Sequence, residues 1–466
     1  MSLIVVTCLA LTALLTNASA QNRLPDLGGD RAGTLTPTEE RAIGERLLRE
    51  VRRVFPLIED PELQNWLDSV GTRLVSAAPG RTSGATFLII DDDAVNAFAM
   101  PGGIIGLHAG LLELAERESE AAGVVAHELA HVTQRHIARM FARSPEWGIA
   151  TGLAILAAAV AASVDPALGQ AALAGGLAAS AQTQINFTRA NEAEADRVGI
   201  QILADAGFDP AGMADFFDRM QALDRLQSSG GLEYLRTHPL TLRRVSEARS
   251  LAANMPRVTS PETDDFAWFR ARLDGLRHAS RYADRNANDD LERYRRTIAL
   301  MTLGRGEEAR RIAETIGSTL PTLTRELLVV HVALASDEPE AALMRLDRIA
   351  EIYPEHPAVL HWRVKALSAM GRDTAVLRAV DDAVRRIQPA PLTLLREKAL
   401  AADRLDQRSL AAETMGRFFF EQGRYRDAIE QFESALAASD AQVTDIERIE
   451  ARRQRAADAI NDLRRR

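Results

Sequence analysis

The run Val124-Val125-Ala126-His127-Glu128-Leu129-Ala130-His131 sets two histidines and an acid inside an apolar stretch. No other feature limits the fold of this chain as tightly. The stretch reads as a buried helix, and burying imidazole and carboxylate groups is unfavourable unless something satisfies them. On a helix His127 and His131 are four apart and project from one face, so their rings can grip a single metal ion. Glu128 lies on the flank of that face, where it can take a proton from a water at the metal without ligating the ion itself. Nitrogen and oxygen ligands with an open position point to zinc, one ion per chain. The pattern also arises by chance on ordinary helices, so the rest of a metal site has to be sought elsewhere in the sequence.

A second part is present in Phe187-Thr188-Arg189-Ala190-Asn191-Glu192-Ala193-Glu194-Ala195-Asp196, which reads as a helix. Glu192 and Asp196 are four apart and share a face. One can ligate while the other orients a ligand histidine through its remaining N–H. Acidic residues on a helix generally form a solvated face; the pairing with the upstream motif is what sets these apart. His136, five residues after His131, falls off the ligand face of a continuous helix and is expected at the surface or against a ligand.

The remaining chain supplies the setting. At 466 residues it exceeds what one core organises, which implies at least two domains. A net charge of -9 argues against nucleic acid as a partner. Residues 1–20 have an apolar run and end in Ala18-Ser19-Ala20, the pattern of a secretory signal peptide. The single cysteine, Cys8, lies within it. Residues 21–33 read as a flexible segment. Thr36-Pro37-Thr38-Glu39 and Asp60-Pro61-Glu62 are helix starts whose helices should pack as a leading pair. Thr86–Ile90 is a short strand, and Asn96–Met100 and Ile104–Leu107 flank a Pro101-Gly102-Gly103 hairpin turn. A long helix is expected over about 109–142. Residues 251–265, with Pro256 and Pro261, read as a linker that separates a unit at 34–255 from one at 266–466.

Past the linker the pattern turns to repeats. A turn residue followed five places later by a small one recurs at Gly304/Ala309, Asp337/Ala342 and Gly423/Ala428, with Gly371 in the same series. The first three turn residues are spaced by 33 and 34, the tetratricopeptide period, but the interval from Gly371 to Gly423 is 52 and implies a slip or a degenerate repeat. Helical repeats of this kind offer a face for binding polypeptide.

Together "HELAH", "TRANEAEAD", "NAFAMPGGIIGLHAGLL" and "LRTHPLTLRRVSEAR" resemble the M48 peptidases, in particular their periplasmic, repeat-containing branch. The resemblance covers nearly the whole chain after residue 20, close up to about Arg249 and looser in the repeats. Thr188-Arg189 stands where the family often has Ser-Arg. The resemblance implies a mainly α fold with a small β-sheet: a zincin-type metallopeptidase domain followed by an all-α tetratricopeptide solenoid. It implies His127, His131 and Glu192 as zinc ligands, Glu128 as general base and Asp196 as the residue orienting a ligand. It also makes Asn96, Ala97, Phe98, Ala99 and Met100 an edge strand for extended substrate. His238 becomes an inhibitory fourth ligand that plugs the open position. The role implied is a periplasmic endopeptidase acting on unfolded or stalled outer-membrane proteins and meeting the assembly machinery through its repeats. The competing reading is a periplasmic chaperone or scaffold in which the repeats do the work. Residues 147–180, Ala- and Gly-rich, are expected to cover the cleft or touch a membrane surface.

Overall fold

The computed structural model describes residues 36–80, 84–142, 189–226, 232–256 and 265–464. The signal peptide, the flexible segment at 21–33 and the apolar stretch at 147–180 lie outside them. Helix α1 (Pro37–Val54) starts as its sequence requires, with reciprocal bonds between Thr36 and Glu39. Helix α2 (Pro61–Ala77) is capped by Asp60, which accepts from the N–H groups of Glu62 and Leu63.

Three strands follow, β1 (Thr86–Ile90), β2 (Ala97–Met100) and β3 (Ile104–His108), in the order β1-β3-β2. β3 pairs parallel with β1 and antiparallel with β2, so β2 is an edge. The hairpin turn holds Gly102 and Gly103 at φ 81° and 80°, open to glycine at little cost. Alternation along the strands divides their side chains between two cores. Leu88, Ile90, Met100 and Ile104 pack with Ile43, Leu47 and Val51 of α1. Phe87, Ile89, Ala97, Ile105 and Leu107 pack with Leu63, Leu67 and Leu74 of α2. The two leading helices are therefore separated by the sheet rather than paired, because the sheet is apolar on both faces and each needs a cover.

The continuous helix expected over 109–142 is three: α3 (Ala109–Leu114), α4 (Glu118–Thr133) and α5 (His136–Ala142). Glu120 accepts from the Glu116 N–H at the first break. At the second, Arg135 adopts φ 53°, a left-handed conformation that ends α4. Helices α6 (Arg189–Asp205) and α7 (Ala211–Leu226) pack on α4. After them come α8 (Glu233–Thr237) and α9 (Leu242–Ala253), then α10 (Asp265–Arg277). Phe266, Phe269 and Leu273 of α10 belong to the same core as α2 and α4, with Trp66 lying 4.0 Å from the Phe269 ring.

Beyond the short α11 (Ala279–Tyr282) the chain is helical hairpins. These are α12 (Asp290–Thr302) with α13 (Gly306–Ala313), α14 (Thr322–Ala335) with α15 (Pro339–Ile352), and α16 (Pro357–Ala369) with α17 (Asp373–Arg386). Then come α18 (Leu392–Arg404), α19 (Arg408–Glu421), α20 (Tyr425–Ala437) and α21 (Val443–Arg464). The turn residues Gly304, Asp337, Gly371 and Gly423 all have positive φ, and so does Asp406. Each is followed by an N–H that reaches back to a carbonyl five residues earlier, as in Arg305 to Leu300 and Gln407 to Ala402. Asp406 thus resolves the long interval: it lies 35 residues after Gly371 and 17 before Gly423. The slip is half a hairpin, with α19 sharing in two turns.

The array touches the first unit repeatedly. Arg272 of α10 pairs with Asp60 at 2.7 Å and Glu62 at 3.2 Å, and His331 and Trp362 reach the same Glu62. Near the other end, Arg49 of α1 bonds the Tyr425 hydroxyl and lies over the Phe420 ring, while Arg52 pairs with Glu421. Among the described residues no helix is long and apolar enough to cross a membrane.

Candidate metal centre

Helix α4 presents His127 and His131 to the underside of α6, whose first turns carry Glu192 and Asp196. The two helices approach closely because Gly199 faces Ala126: a Cβ there would come within 3.1 Å of the Ala126 carbonyl oxygen. His238 enters from the C-terminus of α8, just before Pro239. One atom each from His127, His131, Glu192 and His238 lies within 4.8 Å of the others, and all four side chains are buried. His127 Nε2 is 3.0 Å from His131 Nε2 and 3.4 Å from His238 Nδ1. Glu192 Oε1 is 3.0 Å from His238 Nδ1 and 3.4 Å from His131 Nε2.

Around this cluster stand the groups that orient it. Asp196 Oδ1 is 3.0 Å from His127 Nδ1, on the side of the ring away from the cluster that Nε2 faces. Arg244 of α9 holds Asp196 with two 2.7 Å bonds, pairs with Glu192 at 2.8 Å and donates to the Pro239 carbonyl at 2.9 Å. Glu128 is fully buried; its Oε1 accepts from the Tyr234 hydroxyl at 3.3 Å, while Oε2 has no hydrogen-bond partner among the described residues. Tyr234 also stacks on His238, ring centres 4.7 Å apart.

The electrostatics of the cluster ask for positive charge. Burial disfavours the charged form of His127, but its contacts with Asp196 and Glu192 outweigh that and raise it to about 9. Burial, with His127 and His238 close by, drives His131 well below its ordinary value. Burial would make Glu192 and Asp196 neutral, yet His238 and His127 hold the first well below the usual carboxylate range, and Arg244 and His127 hold down the second. Convergent imidazole nitrogens beside an ionised carboxylate, in a pocket that stabilises a cation, fit a divalent metal ion.

The structure brings His127, His131, Glu192, His238, Glu128 and Asp196 together. Of the two places expected for His136 it takes the one against His131: it is buried, and its Nδ1 is 2.9 Å from His131 Nδ1. Strand β2 runs beside α4, and Asn96 sits just ahead of it, buried, its carbonyl accepting from the His108 N–H. Sequence reasoning assigned nothing to Arg244 or Tyr234. Arg244 lies in the quoted "THPLTLRR", and Tyr234 precedes His238 by four on a helix; a search for buried partners of the acids could have singled out the first.

Residues 61–252 match the model of peptidase family M48. The β-barrel assembly-enhancing protease of Escherichia coli (strain K12) is 34% identical over 348 residues, 72% of this chain and 71% of the relative. The putative β-barrel assembly-enhancing protease of Vibrio cholerae is 40% identical over 293 residues, 62% of this chain and 59% of the relative. The mitochondrial metalloendopeptidase OMA1 of Schizosaccharomyces pombe is 31% identical over 157 residues, 34% of this chain and 43% of the relative.

Proposed function

This chain belongs to peptidase family M48, and from that premise we propose that it is a zinc-dependent endopeptidase of the bacterial periplasm, restrained by His238 and acting in outer-membrane protein assembly and quality control. The observation that supports the chemistry is the convergence of His127, His131 and Glu192 beside the buried Glu128. These three would hold zinc, and the ion, when bound, supplies Lewis-acid activation of water and of the scissile carbonyl. Glu128 accepts the proton of the attacking water at Oε2 and passes it to the leaving amine. The Tyr234 hydroxyl on Oε1 fixes the carboxylate, and the other oxygen, with no hydrogen-bond partner among the described residues, is left to take the proton. Asp196, braced by Arg244, keeps the His127 ring in its ligating tautomer. An extended substrate adds a strand along the free edge of β2, Asn96 to Met100, and so lies beside α4.

Self-restraint by His238 draws support from its place among the ligand atoms, 3.0 Å from Glu192 Oε1. Release would require α8 and its Pro239 end to shift. The part played in β-barrel assembly carries over from the names of the E. coli and V. cholerae relatives, with unfolded or stalled outer-membrane proteins as substrates and the tetratricopeptide-type array of residues 266–466 meeting the assembly machinery. A chaperone or scaffold with little proteolysis is the second reading, and the same position of His238 is what favours it.

Zinc content and casein cleavage of the wild type, Glu128→Gln and His238→Ala, side by side, separate them. The expected outcome is one zinc per chain in each, cleavage reduced at least about 100-fold in Glu128→Gln, and cleavage increased in His238→Ala. Zinc without cleavage in any of the three favours the scaffold, and a wild type that binds no zinc overturns the enzyme reading.

A further inference from the structure

His136 is drawn back onto the metal cluster by an unusual piece of backbone. Had α4 continued, a residue five places beyond His131 would point about 140° away from it. Instead Arg135 takes φ 53°, a left-handed conformation that a non-glycine residue adopts at a cost. The chain restarts as α5 with His136 at its first position, fully buried and with its Nδ1 2.9 Å from His131 Nδ1. Arg135 is held in this turn by Glu40 of α1, with contacts of 3.0 and 2.7 Å. The far side of His136 is held as well: its Nε2 is 3.2 Å from Glu194 Oε2, which Arg139 clasps at 2.8 Å.

The protons along this chain have one consistent arrangement. His131 directs Nε2 at the cluster, so its proton resides on Nδ1 and is donated to His136 Nδ1. That nitrogen accepts only if the His136 proton is on Nε2, where ionised Glu194 receives it. His127 is braced by a carboxylate and an arginine, Asp196 and Arg244; His131 is braced by a carboxylate and an arginine too, Glu194 and Arg139, with an imidazole interposed. We propose that His136 is a positioning residue for the metal, fixing the tautomer and rotation of His131 through the Glu194–Arg139 pair, with the left-handed Arg135 as the turn that brings it there. The proposal rests on His131 being a ligand, as the proposed function has it.

The test is zinc affinity of the full chain, by competition with a chromophoric chelator, for wild type, His127→Ala, His136→Leu and His136→Asn. Asparagine can offer an oxygen near the position of Nδ1 to accept the His131 proton; leucine fills the space and offers no acceptor. The expected result is a 10- to 100-fold loss of affinity in His136→Leu, substantial recovery in His136→Asn, and unchanged melting of both zinc-free proteins. Wild-type affinity in His136→Leu overturns the proposal. So does an equal loss in the two variants, since only packing would then matter, and so does a zinc-free His136→Leu that melts early with an affinity loss matching that instability. If His127→Ala binds zinc like the wild type, the site itself is misassigned, an outcome separate from any behaviour of His136.

Discussion

Arg244 joins more of the centre than any other side chain around it. It is almost wholly buried, yet its guanidinium meets Asp196, Glu192 and the Pro239 carbonyl, and so ties α6 to the segment carrying His238. Its planar fork matches the Asp196 carboxylate bidentately, which a lysine cannot reproduce. Removing it leaves two buried anions facing each other, at a cost of about 3–5 kcal/mol. Arg244→Met is therefore expected to melt well below wild type when free of metal, and zinc should restore part of the difference by supplying the missing positive charge. Equal melting temperatures for the metal-free proteins would show that the pair contributes nothing net. The proposed ligands His127, His131 and Glu192, the proposed base Glu128 and the orienting Asp196 were legible in sequence because their spacing is local: four residues on one helix, four on another. Arg244 and Tyr234 were not, since their roles come from contacts 48 and 106 residues away that no periodicity encodes.

Among the elements, the packing of α4, α6 and α7 decides whether the ligands meet. Two glycines make it possible. A Cβ on Gly123 would sit 2.9 Å from the Met213 Cα of α7, and one on Gly199 would sit 3.1 Å from the Ala126 carbonyl of α4. Gly199→Val should push α6 outward, destabilise the protein by roughly 1–3 kcal/mol and draw Glu192 away from His131. Melting and chelator competition together check this; a variant that melts early while keeping full zinc affinity would mean that the separation of α4 and α6 is not what sets the ligand geometry. The sequence showed where helices begin, because Thr36, Asp60 and the prolines after them act locally. Helix interruptions were hidden: Arg135 is an ordinary helix former, and the bond to Glu40 that helps hold its left-handed turn is tertiary, out of reach of any local pattern. Asp406 has the same local pattern as Asp337, with Ala411 five places on, but its turn is followed by the next after only 17 residues, and that half-hairpin offset hid it from a reading by period.

For the molecule as a whole, the seam between the peptidase unit and the helical array is electrostatic at its centre. Asp60 and Glu62 are largely shielded from solvent, which alone would raise them, but Arg272 keeps both below the usual carboxylate range. A carboxylate lowered by folding stabilises the fold fully above its ordinary value of about 4, and that contribution disappears as pH falls through the lowered values. Stability should thus be level from neutral pH to about 5 and fall below about 4, more steeply in wild type than in a variant carrying Asp60→Asn with Glu62→Gln. Melting curves across that range would show it, and parallel curves for the two proteins would remove the seam as the cause.

Helix α1 touches both the last hairpins and the turn beside His131. Its C-terminal half grips the array through Arg49 and Arg52, and its N-terminal half holds Arg135 through Glu40. A solenoid anchored only at its root is a spring, free to flex along its length. This one is held again near its tip by α1, whose opposite end contacts the turn that carries His136. Movement of the array is therefore expected to be felt at that turn through α1 and not at its root alone.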